Sequence, residues 1–313
     1  MFTAMRAERM QGLHFFSDQA SGLEAIVAIH NTHLGPALGG CRYLPYNSLD
    51  EAVADAMRLA RGMSYKAALA VESLRGGYIT AMDSGTSSAD MDCIAQQTGH
   101  VTSTTEAGDP SPHTALGVLA GIRAAVRARL GQESLSGVRI TVQGLGNVGY
   151  ALAQLLRAEG AELMVSDLDQ GKVRLAEEEL DAQPLALDAV YEAPCDIFSP
   201  CGLGGAINQR SISLLRCAAV AGAANNQLID IDMADQLDAR GILYAPDYVI
   251  NAGGLLHVAL THRGVAHGEI AARVKAIGER LDSIFTQSQS EGRSPAEVAD
   301  RQAERIIYPD ASG

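Results

Sequence analysis

The chain has 313 residues, 47% of them hydrophobic, and a formal net charge of −13. That length allows two domains with sizeable cores, and no stretch approaches the ~18 uninterrupted apolar residues of a membrane span. An acidic chain without a basic tract argues against nucleic acid and anionic membrane as partners.

The N-terminal residues lack the basic-then-apolar layout of a signal peptide. The five cysteines, at 41, 93, 195, 201 and 217, are scattered and odd in number. Both features predict reduced thiols in a cytoplasmic protein. Cys195 and Cys201 have neither metal-ligand spacing nor a nearby histidine, so no metal site is expected. The basic residues are 21 Arg and only 3 Lys, and Lys66 is the only lysine before Lys172. It is the one ordinary amine available to an N-terminal site.

In chain order, residues 23–30 read as a strand and 35–40 as a turn. Residues 49–62 carry apolar positions at Ala52, Val53, Ala56, Leu59 and Ala60, the spacing of an amphipathic helix. Ser48 and Glu51 predict a capping box at its start. After Gly108-Asp-Pro-Ser-Pro112, a helix is expected from Thr114 to about Leu130. Short β-rich runs then alternate with helices at 138–142, 163–166, 196–199, 217–221 and 242–245. Such alternation predicts an α/β fold with a doubly wound parallel sheet. A helical tail over 270–289 and a last helix over 295–307 close the chain. The expected division is a smaller first domain, residues 1–114 completed by 291–313, and a nucleotide domain, residues 115–290.

The run Val138–Val142 leads directly into Gly144-Leu-Gly-Asn-Val-Gly149, then a helical pattern from Tyr150, then a second apolar run ending at Asp167. This is the order a dinucleotide site requires. Gly144 permits the tight turn, Gly146 lets backbone approach a pyrophosphate, and Gly149 lets helix pack close to strand. The helix N-terminus offers free N–H groups to the phosphates, and Asn147 and Val148, just ahead of it, are further cofactor-binding candidates. Asp167 is placed to accept from a ribose 2′-hydroxyl and to repel a 2′-phosphate, so the expected cofactor is NAD rather than NADP.

Further segments share one pattern: Gly35-Pro-Ala-Leu-Gly-Gly40, Arg61-Gly-Met-Ser-Tyr-Lys66, Tyr78-Ile-Thr-Ala-Met-Asp83, Asp109-Pro-Ser-Pro112, Ala224-Asn-Asn-Gln-Leu228 and Ala245-Pro-Asp-Tyr-Val-Ile-Asn-Ala-Gly-Gly254. With them the chain resembles the glutamate/leucine/phenylalanine/valine dehydrogenases along nearly its whole length, most nearly the leucine branch. The resemblance implies a Rossmann domain plus an N-terminal α/β substrate domain, a homo-oligomer built through the latter, and reversible NAD-linked oxidative deamination of an L-amino acid to the 2-oxo acid and ammonia. It further implies that Lys66 holds the substrate carboxylate and that Asp83 is a catalytic acid positioning the amine. Asn251 would lie near nicotinamide and substrate, and Asn225 would contact the cofactor. Gly39, Met63, Thr114, Leu255 and Val258 would line the side-chain pocket. Apolar walls favour an aliphatic, leucine- or valine-like substrate over an acidic one.

The chain departs from the family after Ala70. There the family continues into a glycine-rich turn with a second lysine, the general acid/base, followed by a strand and a helix. About thirty residues of that pattern are absent, which truncates the substrate domain. His33, His100, His113 and Glu72 are the remaining proton-transfer candidates, since the guanidinium of Arg75 stays protonated. Three expectations stand side by side: an active dehydrogenase with a reorganised site, a catalytically impaired or inactive NAD-binding paralogue, and a damaged coding sequence of a family member.

Overall fold

The computed structural model describes residues 1–35, 37–70 and 79–309. Pro36 and residues 71–78, with Glu72, Arg75 and the start of the departure from the family, lie outside them. The chain packs as two compact units, one of Met1–Asp109 with Ala303–Gly313, the other of Pro110–Gln302.

The first unit opens with a short helix, α1 (Phe2–Ala7), and an antiparallel hairpin of β1 (Gly12–Asp18) and β2 (Leu23–Ile29). Residues 35–40 are not simply a turn, because β3 (Leu38–Cys41) pairs in parallel with β4 (Ile79–Met82). Glycine-rich sequence reads as punctuation, but a pairing strand supplies its hydrogen bonds. Between them runs α2 (Leu49–Ala70), eight residues longer than the amphipathic pattern predicts. Its last turns bury Tyr65, Lys66, Ala67, Ala68 and Leu69, and this packing carries the helix through Gly62. At its start Ser48 Oγ accepts from Glu51 N–H, while Glu51 reaches back to the N–H of Asn47 rather than Ser48. A short helix, α3 (Ser88–Ala95), starts on a full capping box of Ser87 and Asp90.

The second unit begins with α4 (Ser111–Leu130), which starts three residues before Thr114, with Pro110 at its head. The sheet follows: β5 (Arg139–Gln143), α5 (Asn147–Ala158), β6 (Glu162–Ser166), α6 (Gln170–Leu180), β7 (Gln183–Pro184), β8 (Ile197–Pro200), α7 (Gln209–Leu214), β9 (Ala219–Val220), α8 (Asp232–Ala239) and β10 (Leu243–Tyr244). The two final strands are shorter than the β-rich runs that predict them. Strand order is β10-β9-β8-β5-β6-β7, all parallel. From β5 the chain winds outward through β6 and β7, then returns to wind the other way through β8 to β10. This is the doubly wound Rossmann order, with its switch point between β5 and β8. Parallel strands covered on both faces are buried, and Ile140, Val142, Val165, Ile197 and Phe198 are at most 1% exposed.

Past the sheet come α9 (Asp247–Ile250), α10 (Gly253–His262), α11 (His267–Lys275), α12 (Ile277–Glu291) and α13 (Pro295–Ile307). The helical tail expected over 270–289 is thus two helices, parted at Ala276. No helix among the described residues is long and apolar enough to cross a membrane.

Candidate functional site

The loops after β5, β6, β9 and β10 carry the second unit's candidate cofactor residues, while Thr114 lies on α4 and Leu255 and Val258 on α10. Gly144 turns the chain with φ +96°, and a side chain there would strike Gly202 N at 2.7 Å. The loops after β5 and β8 therefore touch at the switch point, joined also by Cys201 N–H donating to Gln143 O at 2.7 Å. At Gly149 a side chain would run into the carbonyl of Gly144, so the first turn of α5 lies directly on the glycine loop. Gly146 differs: a side chain there would meet only open space. It caps α5 without a side-chain bond, leaving the helix N-terminus open to an anion. Asn147 is exposed and Val148 half-buried at that terminus.

Asp167 follows β6. Its Oδ2 accepts from the N–H of Leu145 at 2.5 Å and its Oδ1 from that of Asp169 at 2.7 Å. The carboxylate is thereby fixed beside the glycine loop. The loop after β9 is held from inside: the buried Gln227 amide donates to Gly222 O and Ala224 O, and its own N–H donates to Asp247 Oδ2. Asn251 is 4% exposed and donates through Nδ2 to Ala223 O at 3.0 Å and Asn225 Oδ1 at 2.9 Å. Its Oδ1 is buried without a partner. A buried acceptor left unmade is costly and points to a missing donor. Asn225 and Asn251 are thus in contact. Thr114 lies in the first turn of α4, and a side chain on Gly254 would be 2.5 Å from its Oγ1. Leu255 and Val258, each 7% exposed, follow on α10.

In the first unit, Lys66 is buried near the end of α2, 6% exposed. Met63 and Gly39 are half-buried. Asp83 follows β4 and is no plain solvated aspartate. Its Oδ2 pairs with Arg42 Nη2 at 3.3 Å, and its Oδ1 accepts from Ser84 N–H at 2.6 Å. Arg42 also pairs with Asp55 Oδ2 at 2.6 Å, and Tyr46 donates to that same oxygen at 2.7 Å. The phenol of Tyr46 is pushed up to about 12 by burial and by Asp55, so it remains a donor. A side chain on Gly40 would lie 2.5 Å from Asp83 Cβ. Sequence reasoning missed Gly40, Arg42, Asp55 and Tyr46; the only signal was that Arg42 stands two residues beyond the Gly35–Gly40 run. Of the proton-transfer candidates, His33 and His100 are exposed, and His113 is half-buried in the second unit.

All five cysteines are unpaired thiols, and no cluster of metal-ligating side chains occurs among the described residues.

A doubly wound sheet with a glycine loop at its switch point and an acid fixed beside that loop is the architecture of the dinucleotide-binding folds, and this chain carries a second α/β unit with it. Residues 8–78 match the family profile described as Glu/Leu/Phe/Val dehydrogenase, dimerisation domain, and residues 161–297 match Glutamate/Leucine/Phenylalanine/Valine dehydrogenase. The chain is 41% identical to leucine dehydrogenase of Bacillus subtilis (strain 168), covering 98% of this chain and 94% of that one. It is also 41% identical to valine dehydrogenase of Streptomyces albus, covering 92% and 89%. Among solved structures, L-tryptophan dehydrogenase from Nostoc punctiforme superposes with a TM-score of 0.79 at 35% identity over 100% of both chains. The chain belongs to the Glu/Leu/Phe/Val dehydrogenase family of amino-acid dehydrogenases. The match to the Bacillus subtilis enzyme runs over 341 residues, more than this chain's 313, so the relative carries residues that are lacking here.

Proposed function

We propose that the protein catalyses reversible, NAD-linked oxidative deamination of a small aliphatic L-amino acid, leucine- or valine-like, to the 2-oxo acid and ammonia. The observation that carries the cofactor choice is Asp167, whose carboxylate is tied to the glycine loop through Leu145 N–H. Fixed there, it can accept from a ribose diol and repels a 2′-phosphate. The open space at Gly146 and the uncapped start of α5 suit a pyrophosphate. NAD bound there would accept hydride from the substrate's α-carbon.

The chain's own residues would do the rest. Lys66 offers a compact cation to the substrate carboxylate. Asp83, braced by Arg42, offers an acceptor to the substrate ammonium. Asn251, bonded to Asn225, would accept through its unsatisfied Oδ1 from a donor on the ligand. Gly39 and Met63 in the first unit, and Leu255 and Val258 in the second, are apolar candidates that would leave a carboxylated side chain without a counter-charge. The comparisons lend no support to the alternative of an inactive paralogue.

We infer also that the chain forms a homo-oligomer through its first unit. The β1–β2 hairpin exposes Phe15, Phe16 and Leu23, and it lies inside the segment matching the dimerisation-domain profile. Exposed aromatic surface of this kind marks an interaction face.

The test of the reaction is NADH production with NAD and L-leucine or L-valine, set against L-glutamate and against NADP. A preference for glutamate or for NADP would overturn the reading.

A further inference from the structure

The second unit holds two histidines that the proposed chemistry does not use. His113, in the first turn of α4, and His257, on α10, stack ring on ring, with centroids 3.8 Å apart and planes 14° from parallel. They stand 144 positions apart in sequence. Both Nδ1 atoms are buried without a hydrogen-bond partner. The backbones beneath them are in direct contact: a side chain on Gly253 would run into His113 O, and one on Gly254 into Thr114 Oγ1. The stack therefore closes, one helical turn further on, the same joint that sets Thr114 beside the Asn251–Gly254 turn.

We propose that the His113–His257 stack is a positioning pair for this site: with both rings neutral it clamps the Asn251–Gly254 turn onto the first turn of α4, and a proton on either ring releases it. The proposal rests on the reading that Asn251 and Thr114 belong to the substrate site. Two flat neutral rings can stack at this distance, whereas a charge on one is placed against a half-buried neighbour with no acceptor at Nδ1 to receive it. Burial lowers both imidazoles below their ordinary value; His113 lowers His257 further, and the nearby His267 acts in the same direction on both. The helix α11, packed on both α4 and α10, supplies that His267, together with Glu269 and Arg273, which pair with each other at 3.1 Å. No carboxylate raises either imidazole.

The experiment has two arms on the full-chain protein. In the first, the imidazole carbon-bound protons are titrated by NMR. Expected are two resonances titrating below the ordinary histidine range, and in His113→Phe an upward move of the His257 titration. Two independent, ordinary titrations overturn the proposal. In the second, KM and kcat for L-leucine are followed from neutral to mildly acidic pH. The proposal predicts a rise in KM of about fivefold or more toward acid with a much smaller change in kcat, the signature of lost positioning rather than lost chemistry. His113→Phe with His257→Phe keeps two flat rings without a proton and flattens that rise, while His257→Ala raises KM at every pH. An acid rise in the His113→Phe, His257→Phe double variant that superimposes on the parent's overturns the proposal. Absence of turnover at every pH counts against the proposed reaction, and the NMR arm then decides this inference on its own.

Discussion

Arg42 and Asp83 stand one residue past the ends of two parallel strands, and their side chains meet at 3.3 Å. The register of β3 on β4 pairs Cys41 with Met82, so the next step along both strands brings the guanidinium to the carboxylate. The pair is only 15–16% exposed. Its value lies in what happens when one partner is lost, because the other is left half-buried and unpaired. Arg42→Gln is expected to destabilise the first unit by about 2–4 kcal/mol and to raise KM for the amino acid. Gly40→Ala should act through the same carboxylate, pushing Asp83 aside without touching Arg42. Chemical denaturation and KM measured together check both variants. An Arg42→Gln protein with unchanged midpoint and KM would remove Asp83 from the account.

The cofactor preference should reside in one side chain. Asp167→Ala removes the acceptor for the ribose hydroxyls and frees Leu145 N–H. A hydrogen bond to a charged group is worth about 1.5–3 kcal/mol, so NAD affinity should fall by roughly ten- to a hundredfold while NADP affinity falls little or rises. Calorimetric titration of both cofactors against both proteins checks it; parallel losses for the two would count against the assignment.

His30 predicts how stability depends on pH. It is 3% exposed, and burial together with the nearby cations Arg61 and Arg9 lowers its pKa to about 4. Tyr308 Oη lies 3.2 Å from its Nε2, and Arg9 covers the Tyr308 ring at 3.5 Å. A histidine lowered in the folded state gives its full stability above the ordinary value of 6.5 and loses it as pH falls from there toward 4. The paired carboxylates, Asp55 and Asp196 among them, are lowered instead and lose their contribution only at more acid pH. Thermal unfolding should therefore drop over the histidine window, with about 2 kcal/mol of it due to His30. His30→Phe should shallow that slope, as followed by circular dichroism. An unchanged slope would show that the ring is not held neutral.

The exposed aromatic pair on β1 makes the assembly testable. Phe15→Ser with Phe16→Ser should lower the oligomer's mass, measured by light scattering, and leave cofactor binding in the second unit intact. A parent protein that is already monomeric at micromolar concentration would overturn the oligomer.

The nucleotide unit was legible in the sequence because its signals are local. Buried parallel strands read as apolar runs, and Gly144, Gly149 and Asp167 are set within one strand–helix–strand passage. The first unit was less legible for reasons equally physical. Gly39 and Gly40 read as a turn, but Gly40 is glycine so that a strand can pass Asp83. Gly62 reads as a helix stop, but burial of Tyr65 to Leu69 overrides its propensity. Arg42 was hidden in a chain that uses arginine for almost every cation, and no pattern in the sequence links His113 to His257. These contacts exist only once distant elements are packed, so no window of residues reports them.

The most direct test of the central claim is the initial rate of NADH formation from NAD and L-leucine, for the parent chain and for Lys66→Ala. The parent should give a saturable rate, about 10²–10⁴ below that of a relative carrying the glycine-rich turn and its lysine, since positioned proton transfer is worth that much. Lys66→Ala should raise KM steeply, because the substrate carboxylate loses its counter-charge. No NADH at any leucine concentration, or a rate indifferent to Lys66→Ala, would contradict the account.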